Sequence, residues 1–127
     1  MSLPACYPDP LDVRYLMTLD DSRIFELAAP FRYIGSRGVI TVPAAFPTAG
    51  ASVPRMFWSI FQPFGSYFPA AVVHDYLYSW RSAHLKLDRK TADLIFKEAM
   101  FNLGIGWLTR GTIYQAVRLG GWRFYQS

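Results

Sequence analysis

Cysteine is almost absent from this chain. Cys6 is the only one, so no internal disulfide can form and packing alone must hold the fold, as suits a reducing cytosol or a particle assembled there. Histidine is nearly as scarce. His74 and His84, with that one cysteine, make no recognisable zinc-ligand pattern, which removes the main support for a zinc-dependent peptidoglycan hydrolase. No apolar run approaches the roughly 18 residues that span a bilayer. The opening MSLPACYPDPLD has neither the basic region nor the apolar core of a signal peptide, so no transmembrane segment and no export signal are expected. Repeats and low-complexity tracts are also missing. The net charge is +4, and residues 76 to 127 hold eight Lys/Arg against three Asp/Glu. No basic run exceeds Arg89-Lys90, however, so a solvated surface is the expected role of this charge and nucleic acid is not an expected partner.

What the chain has in plenty is apolar and aromatic surface. Hydrophobic residues make up 52% of its 127 positions, with ten Phe, eight Tyr and four Trp. That length predicts one domain over 1–127, and that composition leaves material for a contact patch after the core is filled. Residues 1–42 read as β-rich. In DVRYLMTL, Val13, Tyr15, Met17 and Leu19 alternate with the residues between them. DDS offers a turn before RIFEL, and GSRG a tight connection between a strand holding Phe31 and Tyr33 and the strand VITV. Residues 43–66 read as an irregular segment rich in Pro, Gly and small residues, with a short helix starting at Pro54.

Residues 67–127 read as three helices. The first runs from about Pro69 to Trp80. The second begins at the N-cap Asp88 and carries Ala92, Ile95, Phe96, Ala99, Met100 and Leu103 on one apolar face, with a glycine C-cap between Asn102 and Gly106. The third covers about Leu108 to Leu119. The loop Arg81 to Leu87 is short enough to make the first two antiparallel neighbours. The expected class is therefore α+β: a small N-terminal antiparallel β-sheet followed by three main helices, the first two an antiparallel pair.

Within the first helix, AAVVHDYLYSW sets His74 beside Asp75 in an otherwise apolar run. The two project about 100° apart, and Tyr78 lies one turn on, so all three can border one groove. An imidazole suits a general base, a carboxylate a hard cation, and a phenol can hold a third group in place. A base histidine also needs a partner to fix its tautomer, and Asp93 on the second helix can meet His74 across the interface. The bland alternatives are a core histidine, a surface acid at Asp75 and an i,i+4 ion pair between Arg89 and Asp93. His84 reads as an exposed loop residue, and Ser52 and Arg55 as turn formers.

His-Asp-x-x-Tyr resembles the active-site helix signature of phospholipase A2. AAVVHDYLY looks like the Ala-rich form found in the parvovirus capsid phospholipase, and ADLIF, residues 92–96, is similar to that family's Ala-Asp-x-x-Phe segment. The resemblance covers residues 70 to 100. It implies that His74 activates water, that Asp75 binds Ca²⁺, and that Tyr78 and Asp93 support the histidine. The family's glycine-rich calcium loop has only Gly65, or TAGAS further upstream, to answer it.

A second resemblance spans nearly the whole chain. VPAAFPTAGASVPR, AAVVHDYLY, ADLIFKEAM and IYQAVRLGG, in that order after a β-rich start, are similar to small phage and prophage proteins catalogued as a domain of unknown function. It implies a phage origin, a place in the host cytoplasm or in the virion, and other virion or tail proteins as partners. Members commonly carry an aspartate where this chain has Ala49. Two functions follow as expectations: a phospholipid-type ester hydrolase, or a virion or tail component that binds another subunit through exposed aromatics.

Overall fold

The structure, a computed structural model, describes residues 3–19, 22–48 and 67–120. The fold is α+β, with an antiparallel β region first and helices after it. β1 (Val13–Leu19) and β2 (Ser22–Leu27) form one hairpin. β3 (Phe31–Gly35) and β4 (Gly38–Val42) form the second, closed through the Gly35–Gly38 pair. Both hairpins were legible from alternation and turn residues. The β1–β2 register shifts between Tyr15 and Met17, which makes Leu16 a bulge. Reasoning from the sequence missed β5 (Pro47–Thr48), which pairs antiparallel with β2 to give the order β1-β2-β5. Two residues carry too little periodicity to read. The short helix expected at Pro54 lies outside the described residues.

α1 (Phe68–Tyr78) is the central helix. Of its residues only Phe68 and Asp75 escape full burial, because the small and branched side chains of PAAVV let neighbouring elements close in on every side. It starts with Pro69 in its first turn, where the missing N–H costs no hydrogen bond. It ends earlier than the periodicity predicts: Ser79 turns extended and its hydroxyl donates to the Tyr76 carbonyl at 2.7 Å. The expected loop from Arg81 is largely a 3₁₀ helix, Trp80–Leu85, with His84 exposed on it.

α2 (Arg89–Asn102) keeps its predicted signals. Asp88 accepts from the Thr91 N–H at 2.8 Å at the start. At the end, Gly104 takes φ +81, and the N–H groups of Gly104 and Ile105 bond back to the Phe101 and Met100 carbonyls, a Schellman closure that favours glycine at that position. Ala92, Ile95, Phe96, Ala99 and Met100 are all buried, as the stripe requires. α3 (Trp107–Gly120) packs on α2. His74 and Tyr78 both bond Asp93, and His74, the earlier of the two in α1, also stacks on Phe96 further along α2, as an antiparallel pair requires.

The β3–β4 hairpin lays Phe31, Tyr33, Ile40 and Val42 onto α1 and α2. Tyr33 donates to Glu98 of α2 at 2.6 Å, Asn102 donates to the Tyr33 hydroxyl at 3.0 Å, and Ser36 bonds the same carboxylate through both its N–H and its hydroxyl. Burial opposes ionisation of Glu98, but these donors outweigh it and hold its carboxyl below the ordinary value. A Cβ at Gly35 would run into both the Glu98 carboxylate and the Tyr33 ring. Gly35→Ala is therefore expected to lower stability by about 1–3 kcal/mol in urea denaturation. Combining it with Glu98→Gln should give less than the sum of the two separate losses, since both act on one junction.

Candidate functional site: a buried histidine–aspartate cluster

The site is built where α1, α2 and the end of α3 meet. His74 and Asp93 have no exposed surface and Tyr78 is 3% exposed. His74 Nε2 lies 2.8 Å from Asp93 Oδ1, and the Tyr78 hydroxyl donates to the same oxygen at 2.5 Å. The other carboxylate oxygen accepts from Arg118 Nη1 at 2.8 Å. His74 is also fixed from its faces: its ring stacks on Phe96, with centroids 4.3 Å apart, and is tilted against Tyr78 at 4.2 Å.

Burial alone would push the Asp93 carboxyl upward. The hydrogen bonds from His74, Tyr78 and Arg118 outweigh it, so Asp93 titrates below its ordinary value. Burial, and then the bond to Asp93, push the Tyr78 phenol up, so it stays a donor. An ionised carboxylate only accepts, so the proton on the His74–Asp93 line belongs to Nε2. In the neutral ring the lone pair therefore sits on Nδ1. That nitrogen is buried and meets no hydrogen-bond partner among the described residues. Such an orphan is uncommon, because an unpaired buried polar atom forfeits its hydration without return.

One expectation needs correction. His74, Asp75 and Tyr78 do not border one open groove. His74 and Tyr78 turn inward to Asp93, while Asp75 accepts from the Thr48 hydroxyl of β5 at 2.7 Å, which follows from the helical offset between neighbouring residues. The i,i+4 ion pair of Arg89 with Asp93 is present at 3.6 Å, and the same guanidinium also donates to the carbonyls of Val117 and Arg118 at the end of α3, where a cation suits the helix dipole. Arg118, which the sequence reading missed, takes the close position. Its only sequence signal is a basic residue in the last turn of a helix.

Among the described residues no three His, Cys, Asp or Glu side chains converge as a metal site. Asp75 is the carboxylate that the resemblance assigns to a cation, and the Thr48 hydroxyl is a side-chain oxygen found beside it. Ser52, Arg55 and Gly65, and TAGAS beyond Thr48, lie outside the described residues. No helix among the described residues is long and apolar enough to cross a membrane.

A hairpin-rich β region clasping a buried helix, with one histidine and one carboxylate locked at its centre, defines the class of this protein. The chain belongs to the family described as protein of unknown function DUF1353, whose pattern matches residues 25–117. Over 66 residues it is 39% identical to "Uncharacterized protein y4jT" of Sinorhizobium fredii (strain NBRC 101917 / NGR234), a match covering 50% of this chain and 20% of that protein. The match thus occupies about a fifth of the relative's length. No solved structure matches the chain.

Proposed function

We propose that this chain is a phage- or prophage-encoded ester hydrolase of phospholipase A2 type, acting in the host cytoplasm or carried in the virion. One observation carries the reading: a buried histidine whose Nε2 is committed to an ionised aspartate and whose Nδ1 is left with a lone pair and no partner among the described residues. Nδ1 would take a proton from water as its oxygen attacks the ester carbonyl, and return that proton to the leaving alkoxide. Asp93 holds the tautomer before the transfer and offsets the imidazolium after it. Tyr78 and Arg118 keep Asp93 in place. Because the ring has no exposed surface, water and ester reach Nδ1 only when a covering segment moves, and the base works desolvated. Asp75 is the residue that would hold Ca²⁺, and the ion would polarise the ester carbonyl and offset the charge of the oxyanion.

The test is fatty-acid release from phospholipid vesicles, with Ca²⁺ and with chelator, and from a short-chain ester in solution. Wild type is expected to release acid with Ca²⁺ and to lose most of that activity with chelator. If wild type cleaves neither substrate, the hydrolase reading fails.

A second reading, a structural component that binds another virion or tail protein, is favoured by β1. Its Tyr15, Leu16, Met17 and Leu19 are 42–59% exposed on a strand at the edge of its sheet. Such an edge is a ready template for pairing with another chain.

A further inference from the structure

α3 is amphipathic in an unusual sense. Only Ile113 and Val117 of its residues are buried, whereas Trp107, Leu108 and Leu119 are 76%, 66% and 78% exposed. They line a shallow recess of about 480 Å³ along the outer side of the helix. Between α2 and α3 a second recess of about 310 Å³ is bordered by Leu94, Lys97, Glu98, Phe101 and Arg110. Phe101 is 64% exposed. Arg110 lies over the Phe101 ring at 5.1 Å and Lys97 over Tyr114 at 4.9 Å, so cations and apolar rings share one surface. α3 holds no acidic residue. Of the acids of α2, Asp93 is buried against His74, Tyr78 and Arg118, and Glu98, which borders the second recess, has its carboxylate bonded to Tyr33 and Ser36.

We infer that the outer face of α3, with the α2 edge beside it, docks on the surface of an anionic phospholipid bilayer. Apolar side chains enter the boundary between headgroups and acyl chains, while Lys97 and Arg110 meet lipid phosphates. Charge chooses among the occupants. A two-fold contact with a second copy would set these cations against themselves. Nucleic acid needs a track of cations along its backbone, whereas this face offers two among the described residues, Lys97 and Arg110, each laid over a ring, beside the leucines Leu108 and Leu119. A bilayer takes up apolar side chains of any shape and supplies the opposite charge. The docking stands on this surface alone. Its meaning as delivery of substrate to His74 rests on the proposed hydrolase.

The experiment is flotation of the full chain with vesicles of phosphatidylcholine plus phosphatidylglycerol, and with phosphatidylcholine alone. Wild type is expected to float with the anionic vesicles and to be released by salt. Trp107→Ala with Leu108→Ser should weaken partitioning about 10- to 100-fold, in line with the loss of two buried apolar side chains. Both positions are exposed, and an unchanged melting temperature confirms the fold. Lys97→Glu should weaken binding to anionic vesicles only. No flotation of wild type, or equal flotation of the Trp107/Leu108 variant, overturns the inference. So does a dimer, or binding of a single-stranded oligonucleotide, that is lost in that variant while vesicles are ignored. His74→Gln should float like wild type. Flotation without cleavage of either the vesicle lipid or the short-chain ester leaves the docking standing and removes the hydrolase. Cleavage of the short-chain ester without flotation does the reverse.

Discussion

Asp93→Ala is expected to destabilise the protein by about 3–5 kcal/mol, the range seen when one partner of a buried charged network is removed. The reason is convergence. One carboxylate accepts from His74, Tyr78 and Arg118, and its loss strands two buried donors and a guanidinium together. Asp93→Asn keeps the volume but turns an N–H₂ either toward the Arg118 guanidinium, which only donates, or toward the His74 Nε2–H and Tyr78 hydroxyl that donate in wild type, so it should be destabilised too, by less. Urea denaturation of the variants beside wild type measures both. A loss under 1 kcal/mol for alanine would show that the network is not the keystone of the helical half. The pH dependence follows with a fixed sign. Asp93 titrates lower in the fold than its ordinary 3.8, so the unfolded chain binds more protons in between. The stability is fully present above about pH 4 and is lost as pH falls through the lower, folded value. Glu98, also held below its ordinary value, adds a component of the same sign. Asp93→Asn should flatten its own share of the acid limb and leave that of Glu98.

His74→Gln is expected to abolish ester hydrolysis by a factor of about 10²–10⁴, the usual contribution of a general base, while costing only about 1 kcal/mol of stability. The carboxamide can still donate to Asp93, so the network closes. It offers no lone pair of imidazole basicity where Nδ1 stood, and it loses the ring contact with Phe96. The pairing of measurements separates the two roles of the residue. A histidine that merely packs the core would give a stability change with no change in rate. A general base gives the rate loss.

Much of this was legible from local rules. The alternation in VRYLMTL and VITV, the capping Asp88, the stripe from Ala92 to Met100 and the closing Gly104 all rest on neighbours within one turn or one hairpin, and each appears where expected. The meeting of His74 with Asp93 was legible for the same reason: a short connection between two apolar helices leaves few ways to pack them. Three features were decided only by the tertiary structure. Arg118 reaches Asp93 from 25 residues away, and no spacing rule joins the end of one helix to the middle of another. Thr48 takes Asp75 through a two-residue strand too short to show a period. α3 turns Trp107, Leu108 and Leu119 outward, although its apolar residues alone do not say which face meets the core. Sequence dictates which faces of an element are apolar, because that is a matter of periodicity along one chain segment. Which face is covered, and which polar groups converge, depends on how distant elements dock, where competition for a single core settles the angle and the register.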